Sequence, residues 1–324
     1  AERLAIMLDG AKPYDPPKKH TLEDCVIEAA DFSRLDIPRK RKILDIFSEQ
    51  EIILIAGWRG TGKTWAGLSI VDAITRGGSF GPWKVHMSVP CLYMDGEMAS
   101  SDIKERLSQL NPSPDRKSPL YIYSDAYANH LGLPRANLLS EIWRTTMKRI
   151  LTIRGVKLWV VDNIASLTGS GTYDENLTKD WGPINSWLLD LRFSGIATHL
   201  LHHTNKAGGQ RGASSREDHL DSSILLKQPQ GHEAEDGADF IFSFTKSRFA
   251  HDDLHLIQDV RFTLRADGAG RLQWQWRYAK AEIKGEILEM IDRGTPYKDI
   301  ASALSVSPGL ITKTKKQAVK DGIM

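Results

Sequence analysis

The feature that most constrains this chain is the octapeptide GWRGTGKT at residues 57–64, which fits the pattern G-x-x-x-x-G-K-[ST]. An apolar run, EIILIA at 51–56, precedes it, and a helical pattern at 63–76 follows it. The glycines of such a loop let its backbone N–H groups wrap phosphate groups, and the positive end of the next helix faces the same anion. The sequence therefore predicts a strand, a phosphate-binding loop and a helix, rather than an ordinary glycine-rich turn.

Six residues of this loop are candidates for holding a nucleotide: Gly57, Gly60, Thr61, Gly62, Lys63 and Thr64. We expect Lys63 to reach the β- and γ-phosphates of ATP, and the Thr64 hydroxyl to bind Mg²⁺. Asp162 is the second candidate for the metal, since it ends the apolar run KLWVVD at 157–162. The expected cofactors are therefore ATP and Mg²⁺. The alternative for Asp162 is a residue that merely starts a turn.

Hydrolysis of ATP requires a carboxylate that orients and activates water. The segment LYMDGEM at 92–98 offers two, Asp95 and Glu97, after the next apolar run. We expect Glu97 to be the catalytic base because it follows a glycine at the strand tip, and Asp95 is the alternative. Either carboxylate could instead cap the helical pattern that follows.

Short apolar runs alternate with helical patterns from residue 46 to about 280. This alternation predicts an α/β fold with a mainly parallel sheet covered by helices on both faces. The last three runs lie close together without helices, which indicates antiparallel strands at one edge. The predicted strands are 51–56, 91–95, 120–124, 157–162, 195–203, 222–226, 239–245, 259–264 and 271–276, and the predicted helices are 63–76, 100–110, 138–152 and 181–193.

The two ends of the chain differ from this α/β region. Residues 1–45 contain several prolines and the basic run PRKRK at 38–42, which predicts an arm with one short helical pattern around 21–30. Residues 46–280 form the predicted main domain. Residues 281–324 have a purely helical pattern and form a predicted C-terminal domain.

Composition excludes several classes of protein. The 324 residues include 43 Lys and Arg against 41 Asp and Glu, so any affinity for nucleic acid must come from a local patch. Two cysteines are too few for a disulfide framework or a cysteine-rich zinc site. The apolar runs are far shorter than the ~20 residues that span a bilayer, and the N-terminal residues lack the pattern of a secretory signal. We therefore expect a cytoplasmic protein without a membrane partner.

The ordered set of motifs resembles the RecA-fold hexameric helicases, and among them the RepA-type replicative ATPases of plasmids and phages. Besides GWRGTGKT and LYMDGEM, the resemblance rests on VVDN at 160–163, LLHHTNK at 200–206 and RGASSREDHLDSSILL at 211–226, and it covers roughly residues 30–280. It implies a RecA-like core that forms a ring with each nucleotide between neighbouring subunits. It also implies that the strand at 91–95 lies beside the strand at 51–56, with the activating Glu at its tip.

The same resemblance implies further site residues. Arg106 would pack near the adenine, and His203 would sense the γ-phosphate and relay its state to DNA-facing loops. A ring ATPase also needs positive charge from the neighbouring subunit at the γ-phosphate. The sequence Thr-Lys-Ser-Arg-Phe resembles the Lys-x-Arg pair that related rings insert there, so Arg248 is the first candidate, Lys246 the second and Arg216 the third. Each could instead be a solvated surface cation.

Two loops are candidates for contacting DNA. Residues 204–216 are rich in Gly, Ser and basic residues, including Lys206 and Arg211, and contain no acid. Such a segment can follow a phosphate backbone without reading sequence. Residues 167–179 are a second candidate pore loop, and either segment could be a simple connector.

The C-terminal pattern is that of a helix-turn-helix, with helices at 283–293, 296–304 and 308–320. Pro308 begins the last helix, as is common at this position. This helix could lie against DNA phosphates, or the domain could pack on the ring as a protein contact. The basic residues of the last helix are Lys313, Lys315, Lys316 and Lys320.

Together these patterns favour an ATP-dependent ring that moves along DNA, as a replicative helicase of a plasmid, phage or mobile element does. The expected partners are single-stranded or forked DNA and further copies of the chain in a homo-hexamer. One alternative is a DNA-stimulated ATPase that does not unwind, such as a helicase loader or a recombinase-like filament. The other is a DNA-binding regulator that uses ATP as a switch.

Overall fold

The computed structural model describes residues 20–168, 178–204, 219–229, 231–233, 237–268, 270–304, 306–321 and 323–324, without the side chains of 178–180. The chain divides into two compact units, Ala1–Arg39 and Lys40–Met324. In the described part of the first unit, a 3₁₀ turn at Glu23–Cys25 and helix α1 at Ala29–Phe32 stand where the sequence predicted one helical pattern.

The second unit begins a few residues before the boundary predicted near residue 45. Strands β1 (Lys42–Leu44) and β2 (Phe47–Ser48) pair as a small hairpin. Ile43 and Phe47 on these strands are almost fully buried in the main apolar core. Burial of these side chains joins residues 40–45 to the core instead of to the arm.

A nine-stranded sheet organises the second unit. Its order is β13-β12-β11-β10-β3-β9-β8-β6-β7, parallel from β10 to β7 and antiparallel from β10 to β13. The predicted fold class, an α/β fold with antiparallel edge strands, is therefore confirmed. The nine strands are β3 (Ile52–Gly57), β6 (Cys91–Asp95), β7 (Leu120–Ser124), β8 (Leu158–Asp162), β9 (Ala197–His203), β10 (Ser222–Lys227), β11 (Asp239–Lys246), β12 (Val260–Ala266) and β13 (Leu272–Tyr278).

The helices of the α/β region follow the predicted pattern closely. Two have the predicted bounds, two differ from them by one to three residues at an end, and one short helix was not predicted. They are α2 (Lys63–Arg76), α3 (Ser100–Leu110), α4 (Asp125–His130), α5 (Glu141–Ile153) and α6 (Thr178–Phe193). Ser124 and Ser140 cap α4 and α5, each accepting a hydrogen bond from a backbone N–H of the first turn.

The core lies on both faces of the sheet. Ile53 and Ile55 of β3 pack with α2 on one face, whereas Ile52, Leu54 and Ala56 belong to the apolar cluster on the other. A strand covered on both faces has a continuous apolar sequence instead of an alternating one. This burial fixes β3 in the centre of the sheet and holds the following loop at its carboxyl edge.

An aromatic cluster closes the antiparallel side of the core. The hairpin of β4 (Ser79–Phe80) and β5 (Trp83–Lys84) contributes two of its rings. The rings of Phe80 and Phe262 stack with their centres 4.6 Å apart, and Trp274 meets Phe262 edge to face at 5.7 Å. Trp274 also donates a hydrogen bond to Ser69 on α2 (2.8 Å), which ties the edge strand β13 to the loop helix.

Three helices end the chain: α7 (Ala279–Asp292), α8 (Tyr297–Ala303) and α9 (Pro308–Lys320). Helix α7 begins at Ala279, four residues before the predicted start. The helices surround their own apolar cluster of Ile287, Ile300 and Ile311. Their status as a separate domain stays a prediction. In the described part of the chain, no helix combines the length and apolar character needed to cross a membrane.

Candidate nucleotide-binding site

The loop between β3 and α2 has the backbone that its glycines predict. Gly60 and Gly62 have φ angles of +82° and +95°, which L side chains rarely adopt. A Cβ at Gly62 would also lie 2.8 Å from the Cβ of Ala238, so that position has neither the conformation nor the space for a side chain. The Thr61 hydroxyl donates to the carbonyl of Trp58 (2.8 Å) and is a support inside the loop.

A cavity of about 510 Å³ opens beside this loop at the carboxyl ends of the parallel strands. It brings together most of the residues predicted from the sequence: Gly60, Gly62, Lys63, Thr64, Glu97, Arg106, Asp162 and His203. Arg59 of the loop lines it as well, and so do six residues that were not predicted: Trp65, Asn163, Gln228, His232, Gly237 and Ala238. Asn163 directly follows Asp162 in the VVDN motif, so its position in the chain was the available signal.

Lys63 is buried at the base of the loop. Its Nζ donates to the carbonyls of Gly57 (2.9 Å) and Trp58 (2.8 Å). Burial lowers the pKa of this ammonium to about 8, and the carboxylates of Asp162 and Glu97 oppose that shift. The side chain is thus held at the loop as a cation near neutral pH, next to the space where phosphate oxygens would lie.

Thr64 and Asp162 meet in the lining of the cavity. The Thr64 hydroxyl donates to Oδ2 of Asp162 at 2.6 Å, and the hydroxyl of Tyr93 donates to the same oxygen at 2.5 Å. Burial raises the pKa of Asp162, while these two hydrogen bonds lower it. Asp162 is 5% exposed, so its carboxylate is oriented by fixed donors.

The two candidate bases differ in environment. Asp95 is 2% exposed, and its Oδ1 accepts hydrogen bonds from the backbone N–H groups of Glu97 (3.0 Å) and Met98 (2.7 Å). Burial raises the pKa of Asp95 to about 6. Glu97 is exposed and lines the cavity. Asp95 therefore orders the turn that presents Glu97, and Glu97 is free to meet a water molecule.

The strand that carries these carboxylates is not beside the loop strand. β3 pairs with β9 and β10, whereas β6 pairs with β7 and β8. The expectation that 91–95 neighbours 51–56 is therefore wrong. Glu97 still reaches the cavity because it lies beyond the end of β6, in the turn before α3.

His203 lies at the tip of β9, between the loop strand and the strand of Asp162. Its Nε2 accepts a hydrogen bond from the amide of Asn163 (3.1 Å). Burial, followed by the positive charge of Lys63, lowers the pKa of His203 to about 4, so the ring is neutral at pH 7. Asn163 also accepts from the backbone N–H of Ser166 (3.1 Å), which fixes the amide.

Arg106 and Trp65 form one wall of the cavity. The guanidinium of Arg106, on α3, lies over the Trp65 ring with its carbon 4.8 Å from the ring centre. A flat cation on an aromatic face is a stable pair and offers a planar surface to a ring that stacks on it. Trp65 follows Thr64 in the sequence and was not predicted.

Among the described residues that line the cavity, neither Arg248 nor Lys246 occurs. Arg248 lies 3.8 Å from Asp221 and is 54% exposed. Lys246 ends β11, where Ser223 of β10 is its register partner, so both residues lie toward the edge of the sheet at which β3 begins. The loop candidates Lys206, Arg211 and Arg216 lie outside the described residues, as do residues 169–177 of the second candidate loop.

Comparison with known proteins gives the family. The AAA domain profile matches residues 17–209, more than half of the chain. The chain belongs to the AAA domain family. Among solved structures, a KaiC-like protein from the hyperthermophilic archaeon Pyrococcus horikoshii OT3 is similar, with 16% sequence identity and a TM-score of 0.48 over 73% of this chain and 99% of that one. No curated protein matches the sequence.

An AAA domain is a P-loop ATPase domain, and such domains generally use ATP with Mg²⁺. The side chains of this AAA domain fit that pair. Mg²⁺ keeps several water ligands and needs only one or two protein oxygens besides phosphate, which Thr64 and Asp162 offer 2.6 Å apart. In the described residues, no cluster of three or more His, Cys, Asp or Glu forms a site for a more fully caged metal.

Proposed function

We propose that the chain is a DNA-dependent ATPase whose subunits assemble into a homo-hexameric ring and share each ATP site between neighbours. In this proposal it acts as a replicative helicase on single-stranded or forked DNA of a plasmid, phage or mobile element. The ATPase part rests on the family and on the cavity. The ring is supported by the position of Arg248, and the action on DNA by the pair of Asn163 and His203.

The proposal of a ring is supported mainly by the distance between the cavity and Arg248. Asp221, which lies 3.8 Å from Arg248, accepts a hydrogen bond from the backbone N–H of Ile52 at the start of β3 (2.9 Å), whereas the cavity opens at the end of this strand. Five residues of strand separate Ile52 from Gly57, roughly 16 Å. A cation at the edge where β3 begins is too far away to contact a γ-phosphate in its own cavity, but it could contact one bound to another subunit. Head-to-tail contacts in a closed ring bring opposite edges of neighbouring subunits together.

Each site would combine the cavity residues of one subunit with cations of its neighbour. Lys63 and the N–H groups of the loop bind the phosphates, and Thr64 with Asp162 holds Mg²⁺, which when bound neutralises charge on the β- and γ-phosphates. Glu97 orients the attacking water and takes its proton. Arg248 of the neighbour, with Lys246, stabilises the negative charge that develops on the transferred group.

The Asn163–His203 hydrogen bond supports a link between hydrolysis and DNA. Both side chains line the cavity, and His203 directly precedes the segment 204–216 that we expect to contact DNA. Because Nε2 accepts from Asn163, a neutral His203 carries its proton on Nδ1 and can donate one further hydrogen bond. A shift of this side chain would then be passed to the segment.

Arg59 favours a second candidate function. It lines the cavity of its own subunit and is exposed, so it offers a cation for the γ-phosphate without any neighbour. An ATPase that uses Arg59 would turn over as a single chain and correspond to the DNA-stimulated ATPase that does not unwind.

Subunit mixing tests the proposal against this alternative. Wild-type protein is titrated with Arg248→Ala at constant total concentration, and ATP turnover and fork unwinding are measured. Sites shared around a ring whose subunits hydrolyse ATP in turn predict turnover that falls more steeply than the wild-type fraction. Turnover that stays at the wild-type level in every mixture, together with loss of turnover in Arg59→Ala, would support the single-chain ATPase instead.

The matched control is Arg271→Ala. Arg271 is 55% exposed and pairs with Asp267 at 3.3 Å, much as Arg248 is 54% exposed and pairs with Asp221. We expect mixtures with this variant to keep wild-type turnover.

The fork-unwinding measurement tests the helicase role by itself. Hydrolysis of ATP without strand separation in the wild-type protein would contradict that role.

A further inference from the structure

The last helix of the chain has a basic face that the ATP site does not use. Its buried residues are Ile311, Thr314 and Ala318, which recur at helical spacing, and Ile311 packs with the other C-terminal helices. Residues three or four apart share a face of a helix. The opposite face consists of five exposed residues: Gly309, Thr312, Lys313, Lys316 and Lys320.

The three lysines of this face carry charge without compensation. The sequence contains no acid from residue 304 to 320. In the described part of the chain, no ion pair includes Lys313, Lys316 or Lys320. The next acid, Asp321, accepts hydrogen bonds from Gln317 at 2.8 and 2.9 Å.

The fourth lysine of the helix is directed elsewhere. The Nζ of Lys315 lies 5.9 Å from the centre of the Tyr297 ring on α8. Lys315 is therefore close to the neighbouring helix, although it differs from Lys316 by one position in the sequence. The structure separates four lysines that look equivalent in the sequence into a face of three and a flanking one.

The setting of this face is that of a helix-turn-helix. Helix α8 ends at Ala303 and α9 begins at Pro308, and Ile300 and Ile311 pack the two together. In such units the second helix lies in the major groove of duplex DNA. A Cβ at Gly309 would meet little, since only the Ser307 hydroxyl lies within 4 Å, at 3.8 Å, so the first turn of α9 is open to close approach.

We propose that the face of Lys313, Lys316 and Lys320 binds duplex DNA through its phosphates, without sequence preference. Lysine binds phosphate as a point charge, and the face holds no Arg, Asn or Gln for bidentate contact with a base. This site goes beyond the proposed function because it requires neither ATP nor a ring. It would give each subunit a binding site for duplex DNA that is separate from the proposed site for single-stranded DNA in the pore of the ring.

The experiment measures binding of the full-length chain to a labelled mixed-sequence duplex over a range of salt, without nucleotide. The logarithm of the binding constant falls with the logarithm of the salt concentration, and loss of one phosphate contact makes this slope less steep by about 0.9. We expect this change for Lys316→Ala, and about three times as much for the triple variant of Lys313, Lys316 and Lys320. Lys315→Ala removes the same charge from the same helix and should leave the slope unchanged.

Several outcomes would overturn this assignment. If the triple variant keeps the wild-type affinity and slope, this face does not bind duplex DNA. If Lys315→Ala loses as much as Lys316→Ala, net charge and not the position of the lysines determines the affinity. A strong preference for one duplex sequence would contradict phosphate binding. Loss of self-association in light scattering with unchanged duplex affinity would identify a protein-docking surface instead.

Two further measurements separate this proposal from the proposed function. ATP turnover without DNA should be equal in wild type and triple variant, which shows that the core is folded. Failure of DNA to stimulate turnover in the wild-type chain would contradict the DNA-dependent ATPase and would leave the duplex-binding result standing.

Discussion

At the scale of single residues, the site separates two carboxylates that lie two positions apart in the sequence. Asp95 is buried and accepts two backbone N–H groups, whereas Glu97 is exposed at the cavity. Glu97→Gln removes the base but keeps the shape of the side chain, so we expect ATP turnover to fall by about 10²–10⁴-fold with nucleotide affinity retained. Turnover at fixed MgATP and equilibrium binding of nucleotide check this, and undiminished turnover would assign the base elsewhere.

Asp95 has a different expected signature, a dependence of stability on pH. Burial raises its folded pKa to about 6, above the usual value of 3.8. The folded state therefore keeps the proton longer than the unfolded state, so this contribution to stability is present below pH 4 and lost as the pH rises through 6. Between pH 4 and 7 the wild type should lose on the order of 2–3 kcal/mol relative to Asp95→Asn, whose amide oxygen still accepts both N–H groups. The free energy of unfolding is measured by denaturant titration of both proteins at several pH values. The same pH dependence in wild type and Asp95→Asn would contradict this.

At the scale of elements, the phosphate-binding loop requires its glycines to different degrees. Gly60 and Gly62 both have positive φ, but only at Gly62 would a Cβ meet another residue, Ala238. Gly60→Ala should cost about 1–2 kcal/mol of backbone strain with nucleotide binding kept. Gly62→Ala adds the clash, and we expect a larger loss of stability together with loss of nucleotide binding. Denaturant unfolding and nucleotide titration of the two variants check this, and equal behaviour would contradict it.

The elements also show what a sequence can and cannot specify. The continuous apolar run 51–56 and the helical pattern 63–76 predicted β3 and α2, because burial on both faces and a 3.6-residue period leave clear patterns. The order of the strands leaves no such pattern, and β6 was expected beside β3, from which β9 and β8 separate it. Two-residue strands such as β4 and β5 are too short for a period.

The cavity walls explain why part of the site was missed. Gly237 and Ala238 come from the segment between β10 and β11, far from the loop in sequence, and β10 brings them close by pairing with β3. Only tertiary packing creates this contact. By contrast, Asp162 ends β8, and Lys63 and Thr64 begin the helix after the phosphate-binding loop, so the loop motif and a strand end could predict their chemistry.

At the scale of the whole molecule, one carboxylate joins the C-terminal helices to the sheet. Glu282 on α7 is 12% exposed and accepts a hydrogen bond from Arg261 on β12 (2.6 Å), and it also pairs with Arg277 on β13. Arg261 is held in turn by Asp239 on β11. The helices that carry the proposed duplex-binding face are thus fixed to three edge strands of the ATPase core.

Removing this charge should loosen the C-terminal helices before the core. Glu282→Gln should cost about 1–3 kcal/mol, because partly buried charged hydrogen bonds are lost. The isosteric control Glu289→Gln removes an exposed carboxylate that pairs with Arg293 at 3.5 Å on the same helix, and should change stability by less than about 0.5 kcal/mol. Hydrogen exchange should rise in α7 to α9 of Glu282→Gln while β3 and α2 stay protected. Equal exchange in both variants would mean that apolar packing alone holds these helices to the sheet.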